Sequence, residues 1–353
     1  MQEETFRIIT FDVETADDAT WLQLTQLLEK QSRERNPNDP PISDDLLKKS
    51  VLANNGNPET SRDYRLVVRD DEGIGFSIVQ FVTDKDPEYE SKKHVAYASI
   101  FVLPDYRQQG IGRALLGTVV HACNQRGVTL LQGTAELNSG HGFATYFGGE
   151  VGIETATRRL PLADTDWDLM QHWVDDGTTK NPDITIETYD TFLITDDEDD
   201  YAEFCRVYTE MMNQQPYEDI EGAEEIYTPE RMRHEEEQMK QLGMTWWLKV
   251  AYDDKRDIAG VTEIMYHPER GHRVGQGLTA VRDSFRGRKI GKWLKADMML
   301  HIREVYPDAE YVSTGNADVN SAMLAINEKM GFQLYKPQVV YKLDVSALSA
   351  QFD

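Results

Sequence analysis

An internal repeat constrains the fold of this 353-residue chain more than any other feature. The segments PDYRQQGIGRALLGTVVHA, residues 104–122, and DSFRGRKIGKWLKADMMLH, residues 283–301, each join a glycine-containing loop to an amphipathic helix. Their leading arginines, Arg107 and Arg286, lie 179 positions apart, and the segments that open the two halves are related by the same shift. The repeat therefore predicts two similar domains in tandem.

The boundary between these domains is predicted in the polar segment from Pro161 to Pro182, which contains glycine and has a proline at each end. This places an N-terminal domain at residues 1–165, a linker at 166–182 and a C-terminal domain at 183–353. Strand-like and helix-like segments alternate within each half. This order predicts an α+β fold of the three-layer type, with one mixed, mostly antiparallel sheet flanked by helices in each domain.

Charge and composition narrow the class of protein. With 62 Asp and Glu against 37 Lys and Arg, the net charge is −25, which argues against a nucleic-acid partner because phosphate contacts need Lys and Arg. No apolar run approaches the ~20 residues that span a bilayer. Cys123 and Cys205 lie far apart and resemble reduced core thiols. We expect a cytoplasmic monomer or homodimer that has no membrane partner.

The loop between strand and helix predicts a site for phosphate. In the first copy, RQQGIG at 107–112, successive amides at a helix N-terminus can point their N–H groups at an anion. Gly110 and Gly112 lack the Cβ atoms that would keep a phosphate from the backbone. The second copy, RGRKIG at 286–291, has Lys289 where the first has Gly110. A tight strand-to-helix turn without a ligand is the alternative interpretation of either copy.

These two loops resemble the acyl-CoA-binding motif of the GCN5-related N-acetyltransferases (GNAT), which is Gln/Arg-x-x-Gly-x-Gly/Ala. A later run, from Asn316 through Asn320 and Asn327 to Gly331-Phe332, is similar to another motif of that family, in which a helix ends in Gly-Phe. The resemblance covers nearly the whole chain as two GNAT domains in tandem, an arrangement similar to that of mycothiol synthase.

The resemblance implies transfer of an acetyl group from acetyl-CoA, as co-substrate, to a primary amine of a small cationic acceptor. The amine would attack the thioester directly within a ternary complex, without a metal. The implied cofactor-binding residues are Val102, Arg107, Gln108, Gln109, Gly110, Ile111, Gly112 and Arg113 in the first half, and Ala280, Val281, Arg286, Gly287, Arg288, Lys289, Ile290, Gly291, Lys292, Asn316 and Asn320 in the second.

The same resemblance suggests catalytic groups. A main-chain N–H at Val281, or at Val102 in the first half, would donate to the thioester oxygen. Glu263 is the candidate base, because its strand alternation places it between apolar neighbours, although an ordinary exposed acid fits the same pattern. The tyrosine that many family members use as an acid is replaced by Asn327 and, in the first half, by Ala144.

The Asn-containing motif favours the second domain as the catalytic one, with the first domain accessory or non-catalytic. A non-catalytic protein that binds acyl-CoA or regulates is the alternative, and the missing tyrosine favours it. Asn316 could cap the next helix rather than bind cofactor. Five acids near the presumed acceptor site of the second half would attract a cationic amine, although a solvated acidic face has the same composition: Glu218, Asp219, Glu221, Glu224 and Glu225.

Overall fold

The structure is a computed structural model that describes residues 6–215, 220–222, 224–317 and 319–352. The first half of the chain forms, in order, β1 (Arg7–Phe11), α1 (Asp18–Arg35), α2 (Asp44–Asn55), β2 (Thr60–Arg69), β3 (Glu72–Val82), α3 (Tyr89–Lys92), β4 (Val95–Val102), α4 (Ile111–Gln125), β5 (Leu130–Ala135), α5 (Asn138–Tyr146) and β6 (Glu150–Pro161). The second half forms α6 (Trp167–Lys180), β7 (Thr185–Tyr189), α7 (Glu198–Met212), α8 (Pro229–Gln241), β8 (Thr245–Tyr252), β9 (Ile258–Tyr266), β10 (Arg273–Val281), α9 (Ile290–Val305), β11 (Tyr311–Ala317), α10 (Ser321–Met330), β12 (Gln333–Asp344) and α11 (Val345–Ser349).

Side chains at the helix starts explain where several of these helices begin. The Asp17 carboxylate accepts the Thr20 N–H at 2.8 Å, and the Ser43 hydroxyl accepts the Leu46 N–H at 3.2 Å. Asp197 does the same for α7. Each cap satisfies an N–H group that has no partner within its helix.

The chain divides into two compact units, and each contains one sheet. In the first unit the strand order is β1-β2-β3-β4-β5-β12, and in the second it is β6-β11-β10-β9-β8-β7. Among the strand pairs described within the two units, β4–β5 and β10–β11 are parallel and the others are antiparallel. Helices pack against each sheet, for example α1 on β3, α4 on β4 and α9 on β9. The predicted fold class, a mixed, mostly antiparallel sheet flanked by helices in each of two domains, is confirmed.

The closing strands of the two halves are exchanged between the units, which the predicted boundaries do not anticipate. Residues 155–161 of β6 pair with β11 in the second unit, and residues 339–344 of β12 pair with β5 in the first. After a duplication, β5 and β11 offer equivalent edges that each need an antiparallel neighbour. Either closing strand fits either edge, so sequence similarity does not decide which pairing forms.

The predicted linker, residues 166–182, is wrong as a linker because most of it forms the helix α6. The Asp166 carboxylate accepts the Leu169 N–H at 2.9 Å and begins the helix. Met170, Trp173 and Gly177 recur at helical spacing and are buried, and α6 packs on α9 of the same unit. These buried residues at helical spacing make the segment a packed helix, although its overall composition is polar.

Each unit has its own hydrophobic core. In the first unit, α1 contributes Leu24 and Leu27, and α4 contributes Leu115 and Val119. In the second unit, the buried face of α7, which includes Tyr208, contributes to an aromatic cluster. A further cluster surrounds α9. Cys123 and Cys205 are both buried, as expected from sequence, and burial raises their thiol pKa values to about 12 and about 11.

Candidate active site

The loop that precedes α4 in the first unit has an unusual backbone. Gln108 and Gly110 both adopt left-handed conformations, with φ of 59° and 81°. Gly110 begins α4, and among the described residues no side chain accepts the N–H groups of the first helical turn. Those N–H groups therefore stay available to an anion, whose charge the helix dipole also stabilises.

The loop that precedes α9 in the second unit has the same backbone with the glycine at the other position. Gly287 has a φ of 81° and Lys289 a φ of 66°, and Lys289 begins α9 without a side-chain cap. A residue with a Cβ costs roughly 1–2 kcal/mol in this conformation. Both copies of the motif therefore form the same turn, and each contains one residue that is strained there.

Beside each loop, two parallel strands separate. β4 pairs with β5 only from Val95 to Tyr97, and β10 pairs with β11 only from Arg273 to Gln276. Beyond those residues, the strand that leads to the loop keeps a partner on one edge only.

The ends of β4 and β10 have the same orientation. The Leu103 N–H donates to the Ile74 carbonyl at 2.9 Å, and the Arg282 N–H donates to the Ala259 carbonyl at 3.0 Å. Because neighbouring residues of a strand point in opposite directions, the N–H and C=O groups of Val102 and Val281 point away from β3 and β9, respectively.

A cavity of about 1020 Å³ lies in the first unit, between the separating strands and the loop. Its walls are residues 98–102 of β4, the start of the loop and of α4, the end of β5 and the helix α5. Six of the predicted cofactor residues line it: Val102, Arg107, Gln108, Gly110, Gly112 and Arg113. Ile111 is instead buried in the core, so only its backbone is suited to contact an anion.

In the second unit, the basic residues of the loop contact nearby polar side chains. Arg286 donates to Gln214 Oε1 at 2.8 Å, and Arg288 donates to Asn181 Oδ1 at 3.0 Å. The Lys292 ammonium lies 3.9 Å from the centre of the Trp173 ring, and burial lowers its pKa. Gly291 faces Val281, since a Cβ there would lie 3.3 Å from its Cγ2.

Glu263, the candidate base, lies in the core of the second unit and is only 4% exposed. Its carboxylate accepts a hydrogen bond from the Tyr208 hydroxyl at 2.9 Å and another from the Leu278 N–H at 2.8 Å. Burial raises its pKa to about 7, and the two hydrogen bonds offset part of that rise. Leu278 lies where the β9–β10 register shifts, so the carboxylate holds the irregular part of β10 in place.

Asn327 is completely buried at the position of the missing tyrosine. Its Nδ2 donates to Asn316 Oδ1 at 2.7 Å, while its own Oδ1 has no hydrogen-bond partner among the described residues. Asn320 caps α10 by accepting the Met323 N–H at 3.3 Å. The capping function that the sequence suggested for Asn316 therefore belongs to Asn320.

Comparison with known proteins agrees with this geometry. Residues 21–143 match the family model described as acetyltransferase (GNAT) family. This segment of the first half is therefore similar to a GNAT acetyltransferase domain. No curated protein has a sequence that matches the chain significantly.

Solved structures extend the GNAT fold to both halves. A tandem GNAT protein from the clavulanic acid biosynthesis pathway is 20% identical with a TM-score of 0.74, and the match covers 97% of this chain and 99% of that one. A GCN5-related N-acetyltransferase from Sphaerobacter thermophilus is 14% identical with a TM-score of 0.62 and 96% coverage of both chains. A fungal glucosamine N-acetyltransferase region is 12% identical with a TM-score of 0.62, covering 96% of this chain and 38% of that chain. At these identities the likeness shows the fold, which is that of a tandem GNAT protein.

The acidic cluster expected near the acceptor site is described only in part. Glu218 and Asp219 lie outside the described residues. Glu221 contacts the His94 Nε2 at 2.9 Å within the first unit, and Glu225 pairs with Arg231 in the second. The described members of the cluster are thus divided between the two units.

Two further groups in the GNAT fold were not predicted from sequence. Tyr208 lies 55 positions from the carboxylate it contacts, and Glu34, on α1, lies 73 positions from Arg107, which it binds. Neither belongs to a motif, so no local pattern indicates them.

No cluster of His, Cys, Asp or Glu suited to a metal occurs in the part of the chain that the structure describes. None of the helices in that part combines the length and the apolar character needed to cross a membrane.

Proposed function

We propose that this chain transfers an acetyl group from acetyl-CoA to a primary amine of a small cationic acceptor, and that acyl-CoA binds in the first unit. The observation that carries the proposal is the cavity, which ends at an uncapped helix N-terminus and runs along the unpaired edge of β4. A long, anionic thioester needs both features, an amide cluster for its phosphates and a cleft for its arm.

The residues of the first unit provide distinct contacts for such a substrate. The N–H groups of the first turn of α4, with Gly110 and Gly112, bind the pyrophosphate. The N–H of Val102, which points away from β3, donates to the thioester oxygen as negative charge develops there. The acceptor ammonium first gives one proton to solvent, and its nitrogen then bonds to the acetyl carbon. The carbon–sulfur bond breaks with its electron pair on sulfur, and the second proton lost by nitrogen passes through solvent to that sulfur, so that CoA leaves as the free thiol.

Placing acyl-CoA in the first unit differs from the expectation drawn from sequence, which favoured the second. The second unit remains a second candidate because it contains Glu263, a buried carboxylate with a pKa of about 7. A group with that pKa accepts a proton readily at neutral pH. The equivalent position of β3, opposite Ser99, is Ile78, which cannot accept a proton.

Aspartate at the helix start provides a matched test of the two units. Aspartate tolerates the left-handed conformation, caps a helix and brings a negative charge to the phosphate site. Gly110→Asp should raise the Kd for acetyl-CoA at least tenfold, whereas Lys289→Asp, at the equivalent position of the second unit, should change it less than threefold. Isothermal titration calorimetry measures both.

Turnover separates the remaining alternatives. Free-thiol release from acetyl-CoA is measured across a panel of polyamines, aminosugars and aminoglycosides, with each variant. Amine-dependent release that Gly110→Asp abolishes supports the proposal. If Lys289→Asp abolishes amine-dependent thiol release and Gly110→Asp does not, the reaction belongs to the second unit. Tight acetyl-CoA binding without release on any amine would favour the non-catalytic, acyl-CoA-binding alternative.

A further inference from the structure

Arg107, the first residue of the loop motif, makes four hydrogen bonds in the first unit. Its Nε donates to the Val102 carbonyl at 2.9 Å. Its two Nη atoms donate to the two carboxylate oxygens of Glu34 at 2.9 and 2.6 Å, and Nη1 also contacts Ser139 Oγ at 3.3 Å. One guanidinium therefore joins the end of β4, the helix α1 and the helix α5.

These contacts use the geometry that arginine provides and lysine does not. A planar guanidinium binds a carboxylate through two parallel hydrogen bonds and still has a donor for a third partner. The Arg107 and Glu34 side chains are about one quarter exposed, so the pair is partly protected from water. Both residues line the cavity. With these donors engaged, the guanidinium is not free to bind a phosphate.

Arg286, at the same position of the second unit, makes different contacts. It donates to Gln214 and pairs with Asp283 at 3.0 Å, and 57% of its side chain is exposed. Among its contacts in the described part of the chain, none is to the Val281 carbonyl. The three-way connection made by Arg107 is thus a property of the first unit and not of the motif.

We propose that Arg107 and Glu34 are positioning residues for acyl transfer, and that they hold the Val102 peptide and the walls of the cavity in a fixed arrangement. This inference rests on the proposed function of the first unit. The Val102 N–H is useful to a developing oxyanion only if the end of β4 keeps its direction. The Arg107 bond to the Val102 carbonyl fixes that direction, and the bonds to Glu34 and Ser139 fix the spacing of α1 and α5.

Kinetics give the first test. Arg107→Lys and Glu34→Gln should each lower kcat at least tenfold while changing the KM for acetyl-CoA less than threefold, because neither side chain binds the phosphates. The double variant should be little worse than either single variant, since the two residues act through one interaction. Arg126→Lys is the matched control, because it changes a bidentate arginine–carboxylate pair with Asp63 in the same unit but outside the cavity, and it should leave both parameters within twofold.

Hydrogen exchange of the ligand-free protein gives the second test, which does not depend on catalysis. Arg107→Lys should increase amide exchange in segments 102–106, 30–35 and 137–141, and Arg286→Lys should not. A raised KM with unchanged kcat would overturn the inference, because it would show that Arg107 binds the phosphates. Unchanged exchange would also overturn it. If the wild-type chain neither binds nor consumes acetyl-CoA, the proposed function fails, while the exchange measurement still reports on Arg107.

Discussion

Gly110 and Lys289 begin matching helices in the same left-handed conformation, with φ of 81° and 66°. Only glycine adopts this conformation without a steric cost. Lys289→Gly should therefore stabilise the second unit by about 1 kcal/mol. Gly287→Ala, which places a Cβ at the other left-handed position of the same loop, should destabilise it by about the same amount.

Urea unfolding followed by tryptophan fluorescence measures these changes, since five of the six tryptophans lie at positions 167–293 of the second unit. Gln108→Gly in the first unit is a matched variant and should stabilise that unit similarly, as seen by circular dichroism. Equal stability of Lys289→Gly and wild type would show that contacts of the lysine side chain offset the strain.

The protonation of Glu263 gives a dependence of stability on pH. The pKa of Glu263 is about 7 in the folded protein, whereas an unperturbed glutamate, as in the unfolded chain, has a pKa of 4.5. Folding therefore favours the protonated form. This contribution to stability is complete below pH 4.5 and is lost as the pH rises to 7, by on the order of 3 kcal/mol. Glu263→Gln keeps an acceptor for the Leu278 N–H and cannot ionise.

The free energies of unfolding of wild type and Glu263→Gln are compared from pH 5 to 8. The free energy of unfolding of the variant should rise relative to that of the wild type as the pH increases from 5 to about 7. Above that pH the difference should stay constant. Tyr208→Phe, which removes one donor to the carboxylate, should raise its pKa further and move the change to higher pH. A difference that stays constant with pH would contradict the raised pKa.

The repeat in the sequence predicted the fold and the two loops because both depend on local patterns. Glycine spacing and apolar periodicity specify a strand, a turn and an amphipathic helix wherever they recur. Local alternation left two interpretations of Glu263 open, a buried carboxylate and an ordinary exposed acid. The structure selects the buried one, because Val261 and Met265 on the same face of β9 pack in a core cluster.

Pairings between distant segments could not be predicted in the same way. β5 and β11 are equivalent edge strands, so no sequence pattern shows that β6 pairs with β11 and that β12 pairs with β5. The space between β4 and β5 depends on how far these strands separate and on which side chains fill the gap. Arg107 and Arg286 have identical roles in the motif but different neighbours, and only the structure distinguishes them.

Gly177 tests the correction of the predicted linker to a packed helix. A Cβ at this position would lie 2.5 Å from Cδ2 of Trp293, and other atoms of that side chain are equally close. Glycine to alanine in an open helix stabilises by roughly 1 kcal/mol. Here the overlap should dominate, so that Gly177→Ala destabilises the second unit by about 2 kcal/mol.

Gly142 in α5 is the matched control, because a Cβ there would meet nothing within 4 Å. Gly142→Ala should stabilise the first unit by about 1 kcal/mol. Thermal unfolding of both variants shows whether each substitution raises or lowers the stability. A stabilised Gly177→Ala variant would mean that α6 does not pack closely on α9.

Lys295 on α9 is a buried lysine that has no counter-charge among the described residues. It is 1% exposed, its ammonium lies 5.3 Å from the centre of the Phe332 ring, and it has no hydrogen bond or ion pair among the described residues. The equivalent residue of α4, Leu116, is a core leucine. Burial lowers the pKa of Lys295 from 10.5 to about 7, so the folded state disfavours the charged amine.

The depressed pKa sets the direction of the effect on stability. Folding favours the neutral amine, so this contribution is complete above pH 10.5 and is lost as the pH falls to 7. Lys295→Met, which fills similar space without charge, should stabilise the second unit by on the order of 4 kcal/mol at pH 6 and by about 2 kcal/mol at pH 9. Urea unfolding followed by tryptophan fluorescence at the two pH values measures both. Lys292→Met, at a half-buried position of the same helix, should change stability by less than about 1 kcal/mol. A destabilised Lys295→Met variant would show that the amine is solvated or paired inside the protein.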